Sequence, residues 1–276
     1  MSDTYYKEVG AYYDDDARDF EERYWDNPVL QRIRQSFREE VKRHKVKNIL
    51  EVGFGPGFDL THFARILPDS SVYGVDVSLE MVNLAQAKID AEDLANAKVA
   101  QGSVEDIADR FPGVKYDMIY VFFGALNTVD DLELAAKHLQ ALLTPDGKMV
   151  LTFVNKWFIA GMGIELLKLR VKSAFSRLKP IWGGYSPTKY LASKCYSPAE
   201  VKKAFAPLKC TYQSGYSIIY PAWYYHGIHR RLPQRMLRLL WQMDRGIAQS
   251  KPGTWGEYML YRLEANTASS ISDTVG

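Results

Sequence analysis

The chain has 276 residues, 47% hydrophobic and 25% charged, which leaves room for a sizeable core and excludes a low-complexity or disordered polypeptide. No apolar run is long and clean enough to span a bilayer; the nearest, residues 149–167, is broken by Lys156 and Glu165. The net charge of +2 hides an asymmetry: residues 151–276 carry 18 Lys and Arg against 6 Asp and Glu, a net of +12, opposite −10 in the first 150 residues.

Two cysteines, Cys195 and Cys210, make no disulfide framework and read as reduced thiols. No His/Cys group has metal-ligand spacing, so no metal is expected. The N-terminus is polar and acidic with no leader pattern, and the expected location is the cytoplasm.

Residues 1–24 are rich in Tyr and Asp. Asn27 and Pro28 then form a helix start, with Leu30, Ile33, Phe37 and Val41 on one face. From here strands and helices alternate. Strands are expected at 48–52, 72–75, 98–101, 117–122 and 148–154, with a Pro145-Asp146-Gly147 turn before the last. Helices are expected at 58–66, after Ser78, and after Asp130 or Asp131. Near-continuous apolar strands joined by helices imply a parallel sheet covered on both faces.

Past residue 155 the rhythm changes to a long aromatic and basic segment. Ser197-Pro198-Ala199-Glu200 is a capping box. Strand-like segments follow at 209–215 and 257–264, separated by an aromatic stretch, 220–226, and a basic amphipathic stretch, 230–245. Residues 266–276 read as a flexible tail.

The most informative stretch is Glu51-Val52-Gly53-Phe54-Gly55-Pro56-Gly57, followed by an acid, Asp76, ending the next apolar run. Glycines let backbone approach a ligand closely. An acid at the end of the neighbouring strand suits a pair of ribose hydroxyls. The Gly-x-Gly-x-Gly spacing departs from the dinucleotide fingerprint, because residue 58 is Phe.

In this order the motifs resemble those of the class I S-adenosylmethionine-dependent methyltransferases, of the small-molecule kind. The resemblance covers residues 45–154: the glycine loop, Val75-Asp76-Val77-Ser78, Gln101-Gly102-Ser103-Val104-Glu105, Tyr116-Asp117-Met118-Ile119-Tyr120, and Leu142-Leu143-Thr144-Pro145-Asp146-Gly147. It implies an α/β fold with a doubly wound, mainly parallel seven-stranded sheet, Rossmann-like, carrying an inserted cap. The implied organisation is one domain over 1–265, with cover helices at 1–45, a cofactor-binding core at 46–154 and cap segments at 155–196 and 220–250.

The implied cofactor is S-adenosyl-L-methionine, leaving as S-adenosyl-L-homocysteine. Its expected contacts are Tyr13, Glu51, Gly53, Phe54, Gly55, Gly57, Asp76, Val77, Met81, Ser103, Val104 and Val121. Ser103 stands where the family usually has an acid at the adenine edge; a hydroxyl still accepts a hydrogen bond there. Expected catalytic candidates are Asn127, after the fourth strand, Tyr13, in the family's N-terminal tyrosine element, and His226, in the cap.

The sulfonium is already electrophilic, so the family needs no fixed triad. The expected reaction is methyl transfer to O, N or C of a small, aromatic or lipid-like acceptor bound among Trp157, Phe158, Trp182, Tyr185, Tyr190, Trp223, Tyr224 and Tyr225. No nucleic acid is expected, there being no recognisable binding module. The basic cap suits peripheral contact with an anionic membrane or a clamp on an anionic substrate. Two rival readings stay open: a nicotinamide-dependent oxidoreductase, and a non-catalytic cofactor-binding relative that binds membrane or a partner through the cap.

Overall fold

The computed structural model describes residues 2–183 and 190–265, with side chains from residue 4 onward. In chain order the elements are α1 (Ser2–Trp25), α2 (Pro28–Lys42), β1 (Asn48–Val52), α3 (Phe58–Ile66), β2 (Ser71–Asp76), α4 (Leu79–Ala91), β3 (Ala97–Gln101), α5 (Ile107–Arg110) and β4 (Tyr116–Val121). They continue as α6 (Leu132–Leu142), β5 (Leu143–Val154), α7 (Ile159–Leu167), α8 (Val171–Ala174), α9 (Pro198–Ala204), β6 (Lys209–Tyr216), α10 (His226–Arg231), α11 (Gln234–Ile247) and β7 (Tyr258–Glu264).

The seven strands form one sheet in the order β3-β2-β1-β4-β5-β7-β6. β1 to β5 run parallel, and β7 is antiparallel to both β5 and β6. The strand order reverses between β1 and β4, the switch point at which open α/β sheets bind ligands. Alternation along the strands feeds two apolar layers. Ile49, Met118 and Tyr120 pack with Ile33 and Phe37 of α2 and Leu60 and Phe63 of α3; Leu50, Ile119 and Val121 pack on the other face with Ala135 and Leu139 of α6.

The helix starts are chemically specified. Asn27 Oδ1 accepts the amides of Val29 and Leu30, both at 3.2 Å. Asp131 accepts those of Glu133 and Leu134 at 2.8 and 3.1 Å. Ser197 and Glu200 form the full capping box of α9.

Two local expectations need correction. Residues 145–147 are not a free turn before β5: the strand runs from Leu143, and the register against β4 shifts between Tyr116–Leu143 and Met118–Lys148. The extra residues are accommodated as an irregularity within the strand. The basic stretch 230–245 is not one helix either, because Pro233 lacks an amide and divides α10 from α11. The expected tail, 266–276, and Tyr185 lie outside the described residues.

Candidate active site

At the carboxyl edge of β1, β2 and β4 lies a cavity of about 1090 Å³. Single small-molecule pockets run to about 1,000 Å³, so this one has room for two ligands side by side.

One end is built from the β1 and β2 turns. Gly53 and Gly55 have φ of +69° and +56°. A Cβ on Gly53 would lie 2.5 Å from that of Ala125, whereas at Gly55 it would enter open space. The loop therefore presents bare backbone to the cavity. Asp76 ends β2 beneath it, 7% exposed. Its Oδ2 accepts the Gly55 amide at 2.8 Å and its Oδ1 the Ser78 amide at 3.0 Å. Burial pushes the Asp76 carboxyl up to about 6, against the pull of the Ser78 and Gly55 amides.

Helix α1 walls this end. Ser78 Oγ donates to Asp14 at 2.6 Å, and the Glu80 amide donates to the same oxygen at 3.1 Å. A Cβ on Gly10 would sit 2.9 Å from the Val77 carbonyl oxygen, so the helix lies close against the turn. Tyr13, Gly53, Gly55, Asp76, Val77, Met81, Ser103 and Val104 all line the cavity wall.

Other expected contacts lie elsewhere. Gly57, Phe54 and Val121 are not part of the wall; Phe54 and Val121 are buried in the apolar layers. Glu51 also lies outside it, 2% exposed, with Oε2 accepting the Tyr120 hydroxyl at 2.8 Å. Burial, and the Asp59 carboxylate beside it, hold Glu51 well above the usual carboxylate range. Glu51 is thus a brace under the loop.

The Ser103 hydroxyl is already engaged, donating to Asp106 at 2.8 Å and accepting from the Glu105 amide at 3.2 Å. Asn127 is fully buried: Nδ2 donates to the carbonyls of Val154 and Lys194 at 3.1 and 2.6 Å, and Oδ1 accepts the Val154 amide at 2.9 Å. It ties the β4 loop to β5 and the cap, which takes it off the list of catalytic groups.

The other end of the cavity is aromatic. Phe122, Phe158, Trp182, Trp223, Tyr224 and Tyr258 contribute to it. Trp157 and Tyr190 do not; they are 43% and 72% exposed. His226 is exposed at the rim, while His229 Nε2 lies 3.1 Å from the Pro221 and Ala222 carbonyls. A buried ion pair punctuates this wall: Arg177 Nη2 meets Glu257 Oε1 at 3.4 Å, and the guanidinium stacks on Phe158 and Trp182 at 5.0 and 4.9 Å. Burial pushes the Glu257 carboxyl up to about 7, with Arg177 opposing.

Between the two ends stands Arg34, which the sequence reading passed over. It is 7% exposed, ion-paired with Asp59, and stacked between Tyr24 and Phe123, each at 4.6 Å. Its Nε has no partner. Arg34 falls on the same helical stripe as Leu30, Ile33 and Phe37, and burial there requires a polar partner.

The sequence is similar to known proteins. Residues 49–147 fit the family model described as a methyltransferase domain. That segment, just over a third of the chain, is similar to a methyltransferase domain. Its curated relatives include the ubiquinone/menaquinone biosynthesis C-methyltransferase UbiE of Geotalea daltonii, 34% identical over 152 residues, covering 52% of this chain and 60% of that one. They also include malonyl-[acyl-carrier protein] O-methyltransferase 1 of Ilyobacter polytropus, 34% identical over 115 residues and covering 41% of each. The chain thus spans less than two thirds of either relative. The S-adenosylmethionine-dependent methyltransferase of Mesorhizobium loti shares the fold with a TM-score of 0.54 at 16% identity, over 80% of this chain and 91% of that one.

The cofactor of such a methyltransferase domain is S-adenosylmethionine, and the residues present fit it: an acid at the end of β2, bare glycine backbone above it, and an arginine with an unpaired Nε nearby. Among the described residues no group of three or more His, Cys, Asp or Glu could hold a metal ion.

Proposed function

We propose that the chain transfers a methyl group from S-adenosylmethionine to a small, largely apolar acceptor held at the aromatic end of the cavity. One observation carries this reading: a ribose-type acid and an aromatic chamber are walls of the same cavity, which is large enough for both partners. Asp76 would accept the ribose hydroxyls and Gly55 would lie along the amino-acid portion. Arg34 would meet its carboxylate, and Val77 and Met81 would flank the adenine.

The cofactor supplies an activated methyl on a sulfonium. The protein's share is alignment and exclusion of water, which suits a chamber walled by Phe122, Phe158, Trp182 and Tyr258. The Arg177–Glu257 pair would offer one polar anchor to an otherwise apolar acceptor. The acceptor read from this chamber is a small molecule rather than a nucleic acid, because its wall is aromatic and carries a neutralised ion pair instead of a row of free cations.

The test is twofold. S-adenosylhomocysteine should bind the purified chain by calorimetry while NADH does not. Radiolabel from S-adenosylmethionine should pass to a planar apolar acceptor, such as a hydroxylated aromatic or a quinol. Binding of NADH alone would replace this reading with a redox one.

A further inference from the structure

The turn joining α7 to α8 places leucines where water gives them no reason to be. Leu167 is 87% exposed and Leu169 is 88% exposed, with Val171 at 58% next to them. The backbone makes the choice stranger. The Arg170 amide bonds back to the Glu165 carbonyl at 2.8 Å, and the Leu169 amide to that of Leu166 at 2.9 Å. Leu169 has φ +59°. This is a helix C-terminus in which glycine or asparagine ordinarily takes the left-handed position. A leucine there adds backbone strain and exposes apolar surface, and neither serves the fold.

The setting names the occupant. Exposed Lys168 sits between the leucines and exposed Arg170, Lys172 and Lys179 follow them, with Glu165 2.9 Å from Lys168 and 3.9 Å from Arg170. The whole segment belongs to the half of the chain with net charge +12. Apolar side chains protruding between cations suit the boundary between headgroups and acyl chains of an anionic bilayer. The same helices also contribute to the cavity wall, through Met162 and Glu165 of α7 and Ala174 of α8. Among the described residues no helix is long and apolar enough to cross a membrane, so the contact is a surface one.

We propose that the α7–α8 turn is an interfacial anchor that inserts Leu167 and Leu169 into an anionic lipid surface, holding the aromatic end of the cavity beside the membrane. This stands apart from the reaction assigned to the cavity.

The experiment is co-sedimentation of the full chain with vesicles of equimolar phosphatidylglycerol and phosphatidylcholine, and with phosphatidylcholine alone. The chain should pellet with the anionic vesicles, less so as salt rises. L167S/L169S should lower the partition coefficient by about tenfold or more, the scale of withdrawing two leucines from lipid. Arg170→Glu with Lys172→Glu should do the same through charge. Leu169→Gly keeps the backbone turn and should raise Tm while weakening partition, which separates loss of the anchor from loss of the fold. Failure of the wild type to bind anionic vesicles, or equal binding by L167S/L169S, overturns the proposal. Binding of S-adenosylhomocysteine should be unchanged in all three variants, so the outcome is independent of the cofactor reading.

Discussion

The carboxylate of Asp76 and the amide of Gly55 are joined at 2.8 Å, so the acid that would grip the ribose also fixes the loop above it. Removing the acid disturbs both. Asp76→Ala should weaken S-adenosylhomocysteine binding by at least about tenfold, the scale of one lost charge-assisted hydrogen bond. Calorimetry decides it, and an unchanged Kd would remove Asp76 from the site.

The same group sets a pH dependence. Burial raises Asp76 from its ordinary 3.8 to about 6, so ionising it is harder in the fold than in the unfolded chain. Its contribution to stability is then intact below about pH 4 and is lost as pH rises through 6. Glu257, raised to about 7, acts with the same sign at slightly higher pH. Ligand binding runs the other way, because ribose hydroxyls donate to the ionised form. Affinity for S-adenosylhomocysteine should therefore rise between pH 5 and 7 in the wild type and be flat in Asp76→Asn. A titration at several pH values checks both limbs.

Arg34 makes a prediction specific to one part of the ligand. Arg34→Met should weaken S-adenosylhomocysteine binding by about tenfold, as one charged hydrogen bond is worth. 5′-Methylthioadenosine, which has no carboxylate, should bind the variant and the wild type alike. Asp59 keeps its bond from Arg38 at 2.6 Å but loses the one from Arg34, so chemical denaturation of the variant is followed alongside. An equal loss for both ligands would mean that Arg34 only props the loop.

Asn127 makes the contrary prediction. Asn127→Ala leaves the Val154 amide and two carbonyls unpaired in a buried place, which should cost about 2–4 kcal/mol. Chemical denaturation should show that loss, while S-adenosylhomocysteine affinity of the folded variant stays within about twofold. A large affinity defect without destabilisation would restore Asn127 to the site.

Much of the core was legible because local signals and hydrophobic period agree over 46–154. Strand apolarity, Ser78 and Asp131 as caps, and the glycine loop each point to one arrangement. The wall residues Asp76, Val77, Met81, Ser103 and Val104 were named through the resemblance of the ordered motifs to the methyltransferase family. Glu51 and Asn127 misled for one reason: polarity near a strand end marks either a ligand contact or a buried brace, and only the partner decides which. For Glu51 the partner is Tyr120, which lies 69 residues away, and for Asn127 it is Val154, 27 away. Arg34 was missed because a charge on an amphipathic helix reads as a surface group until its burial is known. The Arg177–Glu257 pair brings together residues 80 apart, Arg177 lying in the irregular cap segment and Glu257 at the start of the last strand-like run. No spacing rule could have found it.

The contact of Asp14 with the Ser78 turn carries a last consequence. The Asp14 charge is one of the influences that raise the Asp76 carboxyl, so the resting place of the first helix and the proton on Asp76 bias each other. Linkage is reciprocal. Moving the Asp14 charge away from this turn would ease proton release from Asp76, so the seat of the first helix and the grip on a sugar are tied through one carboxylate.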